Sequence, residues 1–151
     1  MSLAFIQGPG QLEVAVQDAK VIATTVCAKF ECMAVDMSTI SVSGTSVDIG
    51  AMDEPTTPSD DIDAVDTGVF AIAQEGIAAG KSGRFRFKGI TQALADSGGW
   101  TLGDALAVNA NGDLTTAGSE KIVAYALETV AADGSGLVWF DGINGFGGPA
   151  A

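Results

Sequence analysis

The sequence at residues 84–88 is Arg-Phe-Arg-Phe-Lys, and its alternation of basic and aromatic side chains is the clearest structural signal in the chain. Successive side chains of a β-strand point to opposite faces of the sheet. One face of this segment therefore buries two phenylalanines, while the other presents the three cations Arg84, Arg86 and Lys88. The segment predicts a strand with one buried face and one cationic face.

The rest of the chain shows the same kind of pattern in short bursts. Runs of Val, Ile, Phe and Ala are interrupted by Gly, Asp, Asn and Ser, and 20 of the 151 residues are glycine. This composition predicts many short strands joined by turns, and thus an all-β protein. We find no internal repeat of fixed period. The predicted strands cover residues 12–16, 21–30, 69–73, 102–108, 114–116, 122–130 and 137–140, with turns at 18–20, 43–45 and 109–113 and a helical turn within 91–100.

The chain is expected to form one domain, because 151 residues match the size of a single hydrophobic core. Residues 1–11 are predicted to be an extended N-terminal arm, 12–141 a single β domain, and 142–151 a flexible Gly-rich tail. Within the domain, residues 50–67 carry two prolines and six acidic side chains and are predicted to be an exposed loop. A solvated acidic loop is favoured there over a site for a divalent cation.

Charge and composition exclude several classes of function. The net charge is −12, with 19 acidic against 7 basic residues, so the surface repels phosphate groups and anionic membranes. Histidine is absent, which removes the commonest general base and the commonest metal ligand. We therefore expect no nucleic-acid or membrane partner, no cofactor, no metal site and no catalytic residue.

The two cysteines and the N-terminus indicate the compartment. Cys27 and Cys32 are an odd number of residues apart, so they point to opposite faces of a continuous strand, and we expect buried thiols in a reducing environment. The first ten residues lack the basic and apolar regions of a signal peptide, which predicts synthesis in a cytoplasm.

Two features are open to two interpretations each. The cationic side chains of 84–88 either attach to an acidic partner or a neighbouring subunit, or keep an exposed edge strand soluble. Trp100 follows Ser-Gly-Gly and either covers the core or anchors a contact. The other large aromatic residues are predicted to lie in the core: Phe70, Phe85, Phe87, Trp139 and Phe140.

The C-terminal half resembles a known family in its turn and strand motifs. These are Gly68-Val-Phe-Ala-Ile, Gly89-Ile90, Leu102-Gly-Asp-Ala-Leu, Asn111-Gly-Asp-Leu-Thr-Thr, Ile122-Val-Ala-Tyr-Ala-Leu-Glu and Gly136-Leu-Val-Trp-Phe, with Gln7-Gly-Pro-Gly at the start. Together they resemble the small decoration, or cement, proteins of tailed-bacteriophage heads. The resemblance covers residues 68–140 best and does not extend to 50–67.

This resemblance implies a small β-barrel or β-sandwich that is structural and not enzymatic. It implies a virion protein on the capsid exterior that binds the major capsid protein and itself, as a homotrimer, and stabilises the head by bridging capsid subunits. A head fibre or a module that binds a host surface or glycan is the alternative. Candidate capsid or subunit contacts are Phe5, Ile6, Arg84, Arg86, Lys88, Trp100 and Phe146.

Overall fold

The computed structural model describes residues 14–55, 66–118 and 120–146, and within them the fold is all-β, as predicted. Residues Met37–Thr39 form a 3₁₀ helix. The strands are β1 Gln17–Ala23, β2 Cys32–Asp36, β3 Ser41–Ser43, β4 Ser46–Asp48, β5 Ala51–Asp53, β6 Asp66–Ala73, β7 Ser82–Leu94, β8 Ala105–Val108, β9 Leu114–Thr116, β10 Ala124–Ala126 and β11 Ser135–Asp141.

Five strands close into a small barrel in the N-terminal part of the domain. Their order is β1-β5-β2-β6-β7, and an antiparallel pairing between β1 and β7 joins the two ends. The interior is apolar and contains Met33, Met52, Phe85 and Phe87, all buried. Closure removes the free edges that an open sheet of this size exposes, which confirms the predicted small barrel.

The same nine-stranded sheet continues beyond the barrel without a break. The C-terminal half of β7 pairs with β11, and β10, β8 and β9 continue the sheet. Its buried face packs on Phe70 and Ile72 of β6 and on Cys32 and Ala34 of β2, which point away from the barrel interior. We call β7 from residue 89, with β8 to β11, the C-terminal sheet. Strands β2 and β6 thus serve two cores, one on each face.

Strand β7 is the element that joins the two cores. Its 13 residues pair with β1 and β6 before Gly89 and with β11 from Lys88 onward. Gly89 has a φ of 125°, where an L side chain is strained, and an added Cβ would lie 3.1 Å from the Ala15 carbonyl oxygen. A glycine at this position lets the strand pass from one core to the other.

Several predicted boundaries are wrong. The strand predicted at 12–16 begins later, since β1 includes the predicted turn at 18–20 and residues 14–16 lie outside any strand. Residues 51–53 are the strand β5, not part of an exposed loop, because Ala51 and Met52 fill the barrel core. The helical turn predicted within 91–100 is strand up to Leu94, since it pairs with β11.

The described part of the predicted tail, 142–146, packs against the domain. In this stretch the backbone N–H of Phe146 donates to the Ile122 carbonyl at 2.9 Å. The remainder of 142–151, most of 50–67 and the arm 1–11 lie outside the described residues.

A buried carboxylate lies where the barrel meets the turn between β8 and β9. Glu31 is 8% exposed, and its Oε2 accepts a hydrogen bond from the Ala28 N–H at 2.8 Å. Burial is the main cause that raises its pKa, and the negative charges of Glu54 and Asp113 raise it further. Ionisation of Glu31 therefore costs more free energy in the fold than in the unfolded chain.

We expect Glu31→Gln to raise the free energy of unfolding at pH 7. The amide keeps an oxygen to accept from the Ala28 N–H but cannot ionise. A carboxyl whose pKa is raised by folding contributes stability below its unfolded pKa and loses it as pH rises through the folded pKa. The gain over the native chain, a few degrees in Tm at pH 7, should shrink as pH falls toward 4.5.

Thermal unfolding from pH 4.5 to 8 measures this effect. Glu75→Gln is the control, because the exposed Glu75 also accepts from a backbone N–H, that of Arg84 at 3.0 Å. A Glu31→Gln chain that is less stable than the native one at pH 7 would contradict the argument.

Candidate interaction surfaces

The predicted cationic residues lie on the outer face of β7, but this strand is not an edge. Arg86 is held most tightly: its Nε and Nη2 donate to the two carboxylate oxygens of Asp18 at 2.8 and 3.1 Å, and its Nη1 donates to the Ile90 carbonyl at 2.8 Å. Hydrogen bonding to Asp18 is the main cause that raises the pKa of the Arg86 guanidinium. Arg86 therefore fastens β1 to β7 across the barrel closure.

The two other cations on the outer face of β7 are Arg84 and Lys88, and both are more exposed than Arg86. The Arg84 side chain is 58% exposed, with its Nε 3.8 Å from an Asp18 oxygen that Arg86 already occupies. The Lys88 side chain is 43% exposed, with its Nζ 3.6 Å from Asp141. Exposed pairs at these distances contribute little to stability. Of these three cations, Arg84 is thus the one best placed to contact another molecule.

The structure places Trp100 in the core. The residue is 4% exposed, its backbone pairs with Val130, and its Nε1–H donates to the Glu128 carbonyl at 3.0 Å. Of its two interpretations, this geometry supports the cover over the core. The predicted arm contacts Phe5 and Ile6 lie outside the described residues.

An apolar surface that the sequence analysis missed surrounds Trp139 on the outside of the C-terminal sheet. Trp139 is 37% exposed, so its assignment to the core was wrong; the core side of β11 is formed by its neighbours Val138 and Phe140. Phe146 packs edge-on against Trp139 with ring centroids 5.7 Å apart. The residues that share this surface, called here the Trp139 face, are Ile90, Tyr125, Leu127, Leu137, Trp139 and Phe146.

The alternation within 137–140 contained the signal for this face. Because Val138 and Phe140 are two residues apart and both buried, Leu137 and Trp139 must point outward. The run is apolar at every position, however, so its pattern alone does not show which pair faces solvent.

A second surface is the hairpin of β3 and β4, which forms a separate two-stranded sheet. All of residues 41–48 are exposed, and the cross-strand pair Val42 and Val47 is 68% and 59% exposed. At the base, Ile40 and Ile49 pack against the barrel core. The hairpin therefore projects from the barrel with an apolar pair of its own.

Both cysteines are free and buried, as predicted. Burial, followed by the charge of Glu31, raises the pKa of Cys27 to about 12, and burial also raises the pKa of Cys32, so both thiols stay protonated. In the described parts of the chain, no three Cys, Asp or Glu side chains are grouped to hold a metal ion. Nor do these parts contain a helix long and apolar enough to cross a membrane.

Comparisons with known proteins give a family match and a similar fold. The family model described as "Phage cement protein" matches residues 13–140. No curated protein matches the sequence. Among solved structures, the fold is similar to the head fiber gp8.5 N base in bacteriophage phi29, with 13% identity, a TM-score of 0.53, and coverage of 84% of this chain and 95% of the other.

Proposed function

Since this chain belongs to the phage cement protein family and is a capsid-associated structural protein, we propose that it binds the outer surface of a tailed-phage head and bridges neighbouring subunits of the major capsid protein. The match over residues 13–140 is the observation that carries this proposal. We further propose that several copies act together as homotrimers, stabilising the head against internal pressure. Many weak contacts on a lattice add up to strong attachment without a large interface in each copy.

The charge of the chain supports a place outside the shell. With a net charge of −12, the protein is repelled by the packaged genome and does not compete with the capsid for it. The proposed contact must therefore come from apolar or locally cationic surfaces.

We propose that the β3–β4 hairpin is the element that contacts the capsid. A two-stranded hairpin on its own is only marginally stable, and one exposed cross-strand pair of valines adds little to its folding. Here the base is held, because the Thr39 Oγ1 accepts from the Ala51 N–H at 2.9 Å and the Gly50 N–H donates to the Thr39 carbonyl at 3.2 Å. The barrel thus supports an apolar projection that becomes buried when a partner covers it.

We expect the purified protein to co-sediment with empty expanded shells of its phage and to raise the temperature at which those shells come apart. Val42→Ser should weaken binding about tenfold, as loss of one buried aliphatic side chain removes roughly 1.4 kcal/mol. Circular dichroism should show an unchanged fold, since Val42 is 68% exposed.

Val26→Ser is the matched control. Val26 is 70% exposed, like Val42, but lies in the turn between β1 and β2. Equal binding by the two variants would remove the hairpin from the interface, and absence of native protein from the shell pellet would overturn the proposed function itself.

The alternative is a head fibre or an attachment module for a host surface or glycan. A head fibre base has a similar fold, and at 13% identity this similarity concerns the fold alone. An array of glycans probed with the isolated protein tests it, and saturable binding of one glycan class, together with no shell binding, would favour the alternative.

A further inference from the structure

Two segments of the chain are copies of one structural unit, although the sequence contains no repeat of fixed period. The first is AIAQEGIAAGKSGRFRF at 71–87 and the second is AYALETVAADGSGLVWF at 124–140; they are identical at 8 of 17 positions. The first copy comprises the end of β6, a turn and the start of β7 in the barrel. The second copy comprises β10, a turn and most of β11 in the C-terminal sheet. Two copies do not make a periodic array, so a search for a fixed period misses them.

The turns of the two copies are built alike. In the first, the Glu75 carboxylate accepts from the Arg84 N–H at 3.0 Å, and in the second the Glu128 carboxylate accepts from the Leu137 N–H at 3.1 Å. The residue five positions after each glutamate has a positive φ, 77° at Gly80 and 58° at Asp133.

The close packing inside the two turns is equivalent as well. A Cβ on Gly83 would collide with Ile77, and a Cβ on Gly136 would collide with Val130 at the matching positions. The two copies therefore have equivalent turn contacts, and their outward-facing side chains can be compared position by position.

The inward-facing positions of both copies carry apolar side chains, but the outward-facing positions differ in chemical character. Phe87 and Phe140 are both buried. On the outer face, Arg84 corresponds to Leu137 and Arg86 corresponds to Trp139. The unit accepts cations at these positions, so folding does not require an exposed Leu and Trp there. Exposed apolar groups that folding does not need indicate a binding surface.

The charge distribution indicates which partner fits this surface. Residues 89–146 contain one lysine against seven carboxylates, so the part of the chain that carries the Trp139 face is acidic. Five of the seven cations of the chain lie on β1, on β7 or next to β7: Lys20, Lys81, Arg84, Arg86 and Lys88. Lys20 and Arg84 are cross-strand neighbours and line a surface depression with Asp18, Ala19 and Glu75. Because Arg86 also pairs with Asp18, three cations face two carboxylates there. The chain thus presents an apolar surface on its acidic C-terminal part and a depression in which cations predominate.

We propose that the Trp139 face of one copy docks against the depression beside Arg84 on a second copy of the chain. The Arg84 guanidinium lies over the Trp139 ring of the other copy, an arrangement that adds cation–π attraction to the burial of apolar surface. The acidic C-terminal part of one copy meets the cations beside Arg84 of the other. This inference rests on the proposed function, because it supplies the contact between copies that the homotrimer needs.

Sedimentation velocity of the full chain over a range of concentrations tests the proposal. The native chain is expected to self-associate, and both Trp139→Arg and Arg84→Glu should weaken association at least tenfold. Trp139→Arg should fold normally, because the first copy already holds an arginine at the equivalent position 86. The control Val26→Arg adds the same charge at an exposed valine that belongs to neither surface and should associate like the native chain.

Mixing the two variants distinguishes contact between unlike surfaces from contact between like ones. Trp139→Arg keeps an intact cationic depression and Arg84→Glu keeps an intact Trp139 face, so an equimolar mixture should form a 1:1 complex although neither variant associates alone. Native association by Arg84→Glu, or no complex in the mixture, would overturn the proposal.

The outcome separates this inference from the proposed function. A native chain that stays monomeric at all concentrations and still pellets with shells would overturn the docking of copies and leave capsid binding intact. A chain that self-associates through these residues but does not bind shells would overturn capsid binding and leave the docking of copies intact.

Discussion

Gly142→Ala is expected to prevent stable folding. Gly142 follows β11, and its backbone connects two other strands: its carbonyl accepts from the Phe70 N–H and its N–H donates to the Phe87 carbonyl, both at 2.9 Å. An added Cβ would overlap the Phe70 carbonyl oxygen and lie 2.7 Å from Cζ of Phe140. This overlap can be relieved only if the backbone moves, and both buried hydrogen bonds are then lost.

The expected loss exceeds about 4 kcal/mol, which belongs to the exceptional range for single substitutions. Since a domain of this size is stable by about 5–15 kcal/mol, the variant should be largely unfolded or insoluble. Urea unfolding followed by circular dichroism measures the effect. Gly76→Ala is the matched control, because a Cβ at Gly76 meets nothing within 4 Å, and it should change stability by less than about 0.5 kcal/mol. A soluble Gly142→Ala chain with a native unfolding midpoint would contradict this prediction.

The elements that the sequence predicted well are those with a local signal. The alternation in 84–88 lies within β7, and the Asn-rich turn at 109–113 joins β8 to β9. The turn at 43–45 also forms as predicted, because Gly44, at a position of positive φ, lies between two short strands that alternate polar residues with one valine each. In each case the neighbours that determine the structure are close in sequence.

The features that were missed depend on residues far apart in the chain. Asp18 and Arg86 are 68 residues apart, and their contact partly neutralises the cations of β7. The pairing of β7 with β1, β6 and β11, which makes it an interior strand, also joins distant residues. The buried run Cys32 to Val35 is apolar on both faces because two cores use it, and a period-2 pattern cannot show this. Trp139 is exposed because the barrel covers the opposite face of β11. The sequence of β11 alone does not show which of its faces the barrel covers.

The two cores share β2, β6 and β7, and we therefore expect the domain to unfold in a single transition. Phe85 is fully buried in the barrel core and Phe140 is fully buried in the core of the C-terminal sheet. Replacing either by Ala leaves a cavity, and each substitution should lower the free energy of unfolding by about 3–5 kcal/mol. Leu102→Ala is the control: Leu102 is 62% exposed, and its loss should change stability by less than about 0.5 kcal/mol.

The positions of the tryptophans make the coupling between the cores measurable. Both tryptophans, Trp100 and Trp139, belong to the C-terminal half, so their fluorescence reports on that half, whereas circular dichroism reports on all strands. If the shared strands couple the cores, Phe85→Ala must shift the fluorescence midpoint in urea as far as the circular dichroism midpoint, although no tryptophan lies in the barrel core. A fluorescence midpoint that stays at its native value while the circular dichroism midpoint falls would show that the barrel unfolds alone. In that case, the strands that face both cores would not transmit stability between them.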